Sequence, residues 1–263
     1  MSVKLEDAGL DRFKRVSEIA NMNPVYCEEN FTISQVVEKM VTAKYRRMPI
    51  VSKTHALVGI LTTSDILDAF LKKEDFQEKV STIMIRDVIF CEVDDTLDFI
   101  LQKFKLSRRG GFPVAEDDGL VGVISERDFV KHFSNVSFGI RIEENMTKKP
   151  FFISPNISLF DCLKTIVNTR YRRLPVVDNG KLVGITTTAD LIRYIYEKNY
   201  NQDAMDESMD AVIIRDVYTI EKNKDLSDAI KLMKAKDVGG ILITDGERLE
   251  GIITERDILE EII

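Results

Sequence analysis

The sequence predicts an α/β protein made of four tandem copies of one small unit, each running strand, helix, strand, strand, helix. Two observations support this. A G-x-x-[ST]-x-x-D motif occurs four times, and the same strand and helix patterns surround each occurrence. Its glycines are Gly59, Gly122, Gly184 and Gly251, separated by 63, 62 and 67 residues. Repetition at a nearly constant period is the signature of tandem structural repeats.

The first helix of each unit is predicted by a capping residue followed by apolar residues at helical spacing. A Ser, Thr or Asp side chain at the cap accepts a hydrogen bond from a free N–H of the first turn. Gln35, three residues after Thr32, completes a capping box. The four caps are Thr32, Thr96, Ser158 and Asp225, and the β-rich segments before them are Val25–Cys27, Val88–Val93, Phe151–Ile153 and Val217–Ile220.

Two apolar strands follow this helix, and turn residues join them. The sequence Asp178-Asn179-Gly180 between two apolar runs is a strong hairpin signal, and Asp117-Asp118-Gly119 and Asp245-Gly246 serve the same purpose. The second helix is predicted to begin near the motif Asp. These elements complete the unit.

The four copies are of two kinds that alternate. Copies one and three carry Tyr-Arg-Arg before an apolar-Pro strand, at 45–47 and 171–173, where copies two and four carry Gly-Gly. The alternation implies that a pair of repeats was duplicated. We therefore expect two domains, at 1–135 and 136–263, each forming one compact module. The repeats are expected at about 16–71, 80–133, 142–198 and 208–263.

Composition excludes several classes of protein. The net charge of -7 argues against general nucleic-acid binding, which needs a basic face. No apolar run approaches the roughly 20 residues of a membrane helix, and the N-terminus lacks a secretory pattern, so a cytoplasmic protein is expected. The two histidines do not stand at metal-ligand spacing, so no metal is expected. Cys27, Cys91 and Cys162 are interpreted as reduced core residues.

Each motif residue, taken alone, has a purely structural interpretation. The glycine can permit close strand packing, the Ser or Thr can cap the second helix, and the Asp can oppose the helix dipole. Taken together they suggest a ligand site. A helix N-terminus attracts anions, a hydroxyl there can donate to a phosphate oxygen, and a carboxylate one turn later can accept hydrogen bonds from two ribose hydroxyls.

Paired arginines strengthen the phosphate interpretation. Arg46-Arg47 and Arg172-Arg173 stand directly before a strand of an acidic protein. A guanidinium fork suits phosphate better than a lysine ammonium does. The alternative is that these arginines are surface residues paired with Asp or Glu.

The repeated motif, the order of elements and the apolar-Pro-Val strand resemble the cystathionine-β-synthase-type (CBS) domain from about Val16 onward. Four repeats in one chain are similar to the γ subunit of AMP-activated protein kinase. The resemblance implies CBS repeats that form two pseudo-twofold paired modules with nucleotide clefts. A His-Arg-Leu-Pro segment binds phosphate in that subunit; here Arg replaces the His in copies one and three. Copies two and four lack the segment, so their arginines would be Arg127, Arg256 or those of a neighbouring repeat.

The resemblance also implies roles for individual residues. Ribose would be held by Asp65, Asp128, Asp190 and Asp257. Phosphate would be bound by Thr62, Ser125, Thr187, Thr254, Arg46, Arg47, Arg172, Arg173, Arg127 and Arg256. The adenine pocket would include Val25, Ile89, Phe151 and Val217.

The function expected is that of a non-catalytic regulatory protein that binds AMP, ADP or ATP, senses energy state and signals to an unidentified protein partner. Two alternatives stay open: an S-adenosylmethionine-type ligand, which would not use the arginine pairs, and an interaction scaffold without a small ligand. Catalysis is not expected, because Glu126 and Glu255 are candidate general bases without a nearby nucleophile or metal set. The chain is expected to be a monomer or a homodimer.

Overall fold

The computed structural model describes residues 4–261; the ends of the predicted domains, at 1–3 and 262–263, lie outside the described residues. The α-helices are α1 Ile33–Ala43, α2 Thr63–Leu71, α3 Leu97–Ser107, α4 Glu126–Val130, α5 Ile142–Asn145, α6 Leu159–Thr169, α7 Thr188–Glu197, α8 Leu226–Lys236 and α9 Glu255–Glu260. The strands are β1 Cys27–Glu28, β2 Arg47–Val51, β3 Leu57–Thr62, β4 Cys91–Glu92, β5 Gly111–Glu116, β6 Gly119–Ser125, β7 Thr147–Lys148, β8 Arg173–Asp178, β9 Lys181–Thr187, β10 Thr219–Ile220, β11 Gly240–Asp245 and β12 Arg248–Thr254. Short 3-10 helices cover Leu5–Ala8, Val16–Glu18, Val80–Thr82, Lys131–Asn135, Gln202–Asp206 and Met209–Ala211. The predicted α/β repeat order is confirmed.

The helices begin where the capping residues predict. Thr32, Thr96, Ser158 and Asp225 each accept a hydrogen bond from a backbone N–H of the first turn. The Gln35 side chain accepts in return from the backbone N–H of Thr32 at 2.9 Å, which completes the predicted capping box. Local sequence therefore sets the start of these helices.

The sheet of each repeat is small and follows one plan. In repeat one, β1 runs parallel to β2, with Cys27 beside Ile50, and β2 runs antiparallel to β3, with Ile50 beside Gly59. The first strands are shorter than predicted, and in repeat three the strand is reduced to a single bridge between Ile153 and Val176. Two residues or fewer of each predicted first strand pair with the central strand, and the apolar residues before them lie outside the sheet.

The predicted hairpin turns are confirmed. Asn179 and Gly180 have φ of 48° and 79°, and Asp117 and Asp118 have φ of 48° and 64°. Two consecutive residues with positive φ match the right-handed twist of the strands that they join. Gly, Asn and Asp are the residues that adopt this conformation most readily.

The motif glycines give room to another segment of the chain. A Cβ added at Gly59 would lie 2.5 Å from Met84 Sδ, and one at Gly184 would lie 2.8 Å from the backbone oxygen of Ile214. Next to these glycines, Ile60 of β3 forms an antiparallel bridge with Ile85, and Ile185 of β9 forms one with Ile214. The structural interpretation of the glycines, close strand packing, is therefore correct.

The described residues group into two compact units that alternate along the chain. Unit one holds the N-terminal segment to Pro24, Ile89–Pro150 and the residues from Tyr218 onward, and thus repeats two and four. Unit two holds Val25–Val88 and Phe151–Val217, and thus repeats one and three. Each unit has one apolar core, to which both of its repeats contribute.

The units are groupings in space, whereas the predicted domains at 1–135 and 136–263 divide the chain in sequence order. Each unit takes one repeat from either half, and the chain passes between units after residues 24, 88, 150 and 217. The pairing of consecutive repeats into modules stays a prediction.

Candidate functional site

The motif Ser or Thr and the motif Asp form a tight strand–helix junction in all four repeats. In repeat three, Asp190 Oδ2 accepts hydrogen bonds from the Thr187 backbone N–H at 3.0 Å and from Thr187 Oγ1 at 2.6 Å. The same two contacts recur in the other repeats at 2.6–2.9 Å, between Thr62 and Asp65, Ser125 and Asp128, and Thr254 and Asp257. This is a capping box that joins the end of the hairpin to the start of the second helix.

The Oδ2 atom of each motif Asp thus caps the second helix, and the contacts of its Oδ1 atom differ among the repeats. Asp128 Oδ1 meets Lys131 Nζ at 2.9 Å, and Asp190 Oδ1 meets Arg193 Nη2 at 3.2 Å. Within residues 4–261, Oδ1 of Asp65 and of Asp257 has no such cation. Burial raises the pKa of Asp257, and its hydrogen bonds with Thr254 only partly offset that effect. In Asp65 and Asp257 the Oδ2 atom therefore anchors the helix while Oδ1 faces no such cation, whereas in Asp128 and Asp190 the Oδ1 atom is also held by a cation.

Strand register places the second arginine of each pair beside the motif hydroxyl residue. Arg47 lies opposite Thr62, and Arg173 lies opposite Thr187, on neighbouring strands. The backbone N–H of Thr188 donates to the Arg172 oxygen at 3.1 Å, so Arg172 also borders the junction. In repeats one and three, a cation, a hydroxyl and a carboxylate therefore come to one strand–helix junction. Arg46 takes the place of Arg172 in repeat one, where its oxygen accepts from Thr63.

In repeats two and four the corresponding positions are glycines. Gly111 lies opposite Ser125, and Gly240 lies opposite Thr254. Those repeats consequently offer a hydroxyl and a carboxylate at the junction without an arginine on the neighbouring strand. This difference follows the alternation seen in the sequence.

Arg127 and Arg256, predicted as phosphate ligands, lie in ion pairs with two buried glutamates. Arg127 Nε is 2.6 Å from Glu255 Oε1, and its Nη1 is 2.6 Å from Asp237 Oδ1. Arg256 Nε is 2.9 Å from Glu126 Oε1, and its Nη2 donates to the backbone oxygen of Arg108 at 2.6 Å. Glu126 and Glu255 are the residues considered as general bases; here each stabilises an arginine. Phosphate binding by Arg127 and Arg256 stays a prediction.

The predicted adenine-pocket residues lie just before the first strand of each repeat. Ile89 and Phe151 are 37% and 49% exposed, and Val25 and Val217 are partly exposed. Cys27, Cys91, Ile153 and Ile220 occupy one register position beside the central strand. Counting back from them places Tyr218, rather than Val217, at the position of Val25, Ile89 and Phe151.

Four contacts at the site were missed by the sequence interpretation. Arg193 and Lys131 reach the motif Asp from one helical turn later, a signal present in the i, i+3 spacing. The ring of Phe151 packs near that of Tyr171, and no local spacing indicates that contact. Asp237 joins Arg127 from the end of another helix.

Neither a metal cluster nor a membrane helix is found among residues 4–261. No group of three or more His, Cys, Asp or Glu side chains there is arranged to hold a metal ion. In the same residues, no helix has the length and apolar character needed to cross a membrane.

The chain belongs to the CBS domain family. The family model matches it at residues 16–72, 80–135, 140–197 and 209–263. The four predicted repeats and the resemblance drawn from the motifs are thereby confirmed.

Individual relatives extend over most of the chain. Protein MJ1225 of Methanocaldococcus jannaschii is 30% identical over 94% of this chain and 99% of its own. A 33.4 kDa protein from a ribosomal RNA operon of Thermofilum pendens is 26% identical over 88% of this chain and 85% of its own. The crystal structure of MJ1225 matches this chain with a TM-score of 0.85 at 27% identity, covering 94% of this chain and 99% of that one. The name of that structure proposes MJ1225 as an archaeal homologue of g-AMPK. A conserved protein from Pyrococcus horikoshii shares the fold, with a TM-score of 0.64 at 22% identity over 95% of this chain and 100% of that one.

Proposed function

We propose that this chain is a non-catalytic regulatory protein that binds adenine nucleotides, AMP, ADP or ATP, and signals their presence to a protein partner. The observation that carries the proposal is the junction in repeats one and three. There an arginine on one strand stands opposite the hydroxyl residue that caps the second helix, and an acceptor carboxylate follows three residues later.

The chemistry of this junction suits a nucleoside phosphate. The guanidinium and the helix N-terminus favour a phosphate group, while the carboxylate accepts hydrogen bonds from neutral hydroxyls such as those of ribose. The similar protein MJ1225 is named as an archaeal homologue of g-AMPK, and this name supports an adenine nucleotide as the ligand.

A second candidate ligand is favoured by repeats two and four. Gly111 and Gly240 stand where an arginine stands in the other repeats. An adenosyl compound without phosphate, such as S-adenosylmethionine, would use the motif carboxylate of these repeats without requiring that arginine. We propose it only for these two repeats.

Calorimetric titration tests the proposal directly. The intact chain is titrated with AMP, ADP, ATP, GTP and S-adenosylmethionine. We expect saturable binding of adenine nucleotides in preference to GTP, with a rise in melting temperature because the ligand binds only the folded state. Absence of heat with every adenine nucleotide at millimolar concentration would overturn the proposal and favour a scaffold without a small ligand. Native mass spectrometry of protein purified from cells then reports the bound ligand and the oligomeric state together.

A further inference from the structure

The first helix of repeat two, α3, presents two large apolar side chains to solvent. Phe99 is 51% exposed and Leu106 is 83% exposed. They stand seven residues apart, so they lie on the same side of the helix, about 10 Å from each other along its axis. The opposite side of α3 enters the core of unit one through Leu97, Ile100, Leu101 and Phe104. The exposed pair therefore lies outside that core.

The first helices of the other repeats show that the fold does not require apolar residues at these two positions. Counted from the capping residue, the corresponding pairs are Gln35 and Thr42 in α1, Asp161 and Asn168 in α6, and Asp228 and Ala235 in α8. Gln35 and Asp161 each accept a hydrogen bond from the capping residue of their helix, and a phenylalanine cannot do so. Repeat two thus gives up a capping contact and exposes an apolar ring instead.

Unpaired cations border this apolar pair. Residues 99–115 include four Lys or Arg and no Asp or Glu, in a chain whose net charge is -7. Among residues 4–261, none of these four side chains forms an ion pair with a carboxylate; they are Lys103, Lys105, Arg108 and Arg109. Lys103 Nζ lies 5.4 Å from the centre of the Phe99 ring. Apolar and cationic atoms therefore adjoin on this helix.

A third exposed apolar side chain, Phe13, lies at the start of α3. The chain on either side of Phe13 accepts hydrogen bonds of 2.9 and 3.0 Å from the first turn of the helix, and Phe13 itself is 76% exposed. Single exposed apolar side chains are common on proteins, whereas a group of them marks a binding surface. We name Phe13, Phe99, Leu106 and the four cations the α3 surface.

We propose that the α3 surface binds an acidic amphipathic helix of the protein partner. This inference rests on the proposed function for the existence of that partner. A helix laid along α3 places apolar side chains, spaced by one and two turns, against Phe99 and Leu106. Aspartates or glutamates beside its apolar stripe then meet the four cations, and such complementary charge gives specificity and speeds association.

Two other occupants fit the charges of the α3 surface less well. A second copy of the chain, packed by twofold symmetry, brings the same four cations against each other, which is unfavourable. An anionic membrane attracts these cations but repels a chain whose net charge is -7. An acidic segment on a single helix of a partner avoids both penalties.

Two labelled helical peptides test the inference. Both carry leucine along one side, and the remaining positions are glutamate in one peptide and lysine in the other. Fluorescence anisotropy measures their binding to the intact chain. We expect saturable binding of the glutamate peptide, weakened by added salt because charge attraction is screened, and no binding of the lysine peptide. Absence of binding by the glutamate peptide overturns the inference, as does equal binding of both peptides.

The variants Phe99→Gln and Leu106→Thr, combined in one chain, introduce the residues that α1 carries at these positions, and thermal denaturation confirms that the chain is folded. Phe160→Gln is the matched control, because Phe160 is a 43% exposed ring on α6 of repeat three. We expect the double variant to bind the glutamate peptide about tenfold more weakly and the control to bind it unchanged. Equal losses in the two proteins overturn the inference.

Sedimentation and vesicle binding test the other occupants of the α3 surface. The double variant is compared with the natural chain for self-association and for binding to phosphatidylserine vesicles. We expect no difference in either measurement. If the double variant loses self-association or vesicle binding and still binds the glutamate peptide normally, the inference is overturned.

Calorimetry with AMP separates this inference from the proposed function. We expect the natural chain and the double variant to bind AMP equally, because the α3 surface does not include the strand–helix junctions. If the chain binds AMP but not the glutamate peptide, the α3 surface is refuted and nucleotide binding stands. If it binds the glutamate peptide but no adenine nucleotide, the proposed function fails and the α3 surface stands.

Discussion

The hydroxyl of Thr63 donates a hydrogen bond of 3.1 Å to the hydroxyl of Thr188, 125 residues further along the chain. Both side chains are buried, at 4% and 1% exposure, and they join repeats one and three inside unit two. At the same motif position, repeats two and four carry Glu126 and Glu255, each held by an arginine of the other repeat. Each kind of repeat therefore packs with its own kind. A buried glutamate facing a threonine would lack its arginine, which disfavours the mixed arrangement.

Arg127→Ala is expected to lower the free energy of unfolding by about 2–3 kcal/mol. Breaking a buried ion pair costs about 3–5 kcal/mol, and the partial exposure of Arg127 reduces that figure. Urea denaturation measures the change. Lys72→Ala, which removes an equal charge from an exposed pair with Asp68, is expected to leave stability unchanged. If Arg127→Ala instead preserved stability and weakened AMP binding, the phosphate role predicted from the sequence would be supported.

Thr186→Val is expected to stabilise the protein by about 1 kcal/mol or more. Thr186 is fully buried, and its hydroxyl has no hydrogen-bond partner among the described residues. The other repeats place Leu61, Ile124 and Ile253 at this position. Replacing an unsatisfied hydroxyl by a methyl group removes its desolvation penalty. Thr63→Val, the same chemical change at a bonded hydroxyl, is expected to destabilise by about 1 kcal/mol, and denaturation curves of both variants give the sign.

Gly184→Ala is expected to be more destabilising than Gly59→Ala. The new methyl group at residue 184 meets the backbone oxygen of Ile214 at 2.8 Å, whereas at residue 59 it meets the flexible side chain of Met84. Overpacking of this kind costs about 1–3 kcal/mol, and less where the neighbour can move. Thermal denaturation of the two variants provides the comparison, and equal losses would contradict the backbone explanation.

The three cysteines are expected to resist modification in the folded protein. Burial raises the pKa of Cys27 to about 11 and those of Cys91 and Cys162 to about 12. Because the thiolate is the reactive form, little of it exists at pH 8, and the reagent must also reach the core. A coloured aromatic disulfide reagent, whose leaving thiolate absorbs visible light when a cysteine reacts, should detect no cysteine thiol in native protein at pH 8 and three after denaturation. Rapid reaction of a native thiol would show that a core opens locally.

Asp190→Ala and Arg173→Ala should separate ribose from phosphate recognition. Asp190→Ala is expected to weaken AMP and adenosine alike, while Arg173→Ala is expected to weaken AMP and spare adenosine. A hydrogen bond to a charged group contributes about 1.5–3 kcal/mol, so each loss should be roughly tenfold to a hundredfold. The arginine effect should shrink as salt rises.

Asp161→Ala controls for the loss of a helix cap, since Asp161 accepts from Ser158 at 2.8 Å on α6 without belonging to the motif. It is expected to reduce stability and leave affinity unchanged. Equal loss of adenosine and AMP binding in Arg173→Ala would show that the phosphate assignment is wrong.

Local signals in the sequence were sufficient for most of the fold. The cap at Thr32 and the turn at Asn179-Gly180 depend only on neighbouring residues, so their positions could be predicted. The pairing of Arg127 with Glu255, 128 residues apart, depends on which repeats share a core, and no local pattern carries that information. In repeat four, the sequence assigned the adenine-pocket position to Val217, whereas the strand register assigns it to Tyr218. The first strand of that repeat holds only two residues, which are too few for an alternating pattern to fix its register.

The alternation of the two units has a consequence for synthesis on the ribosome. All segments of unit two have emerged once Val217 leaves the exit tunnel, whereas the core of unit one still lacks Ile241, Ile258 and Leu259. Leu5 and Val16 are made before the other residues of this core, so they must wait for repeat four before the core can close. We expect unit two to mature first, so that in nascent chains stalled after Val217 has emerged, Leu191 and its neighbours resist protease while the N-terminal segment is still cleaved.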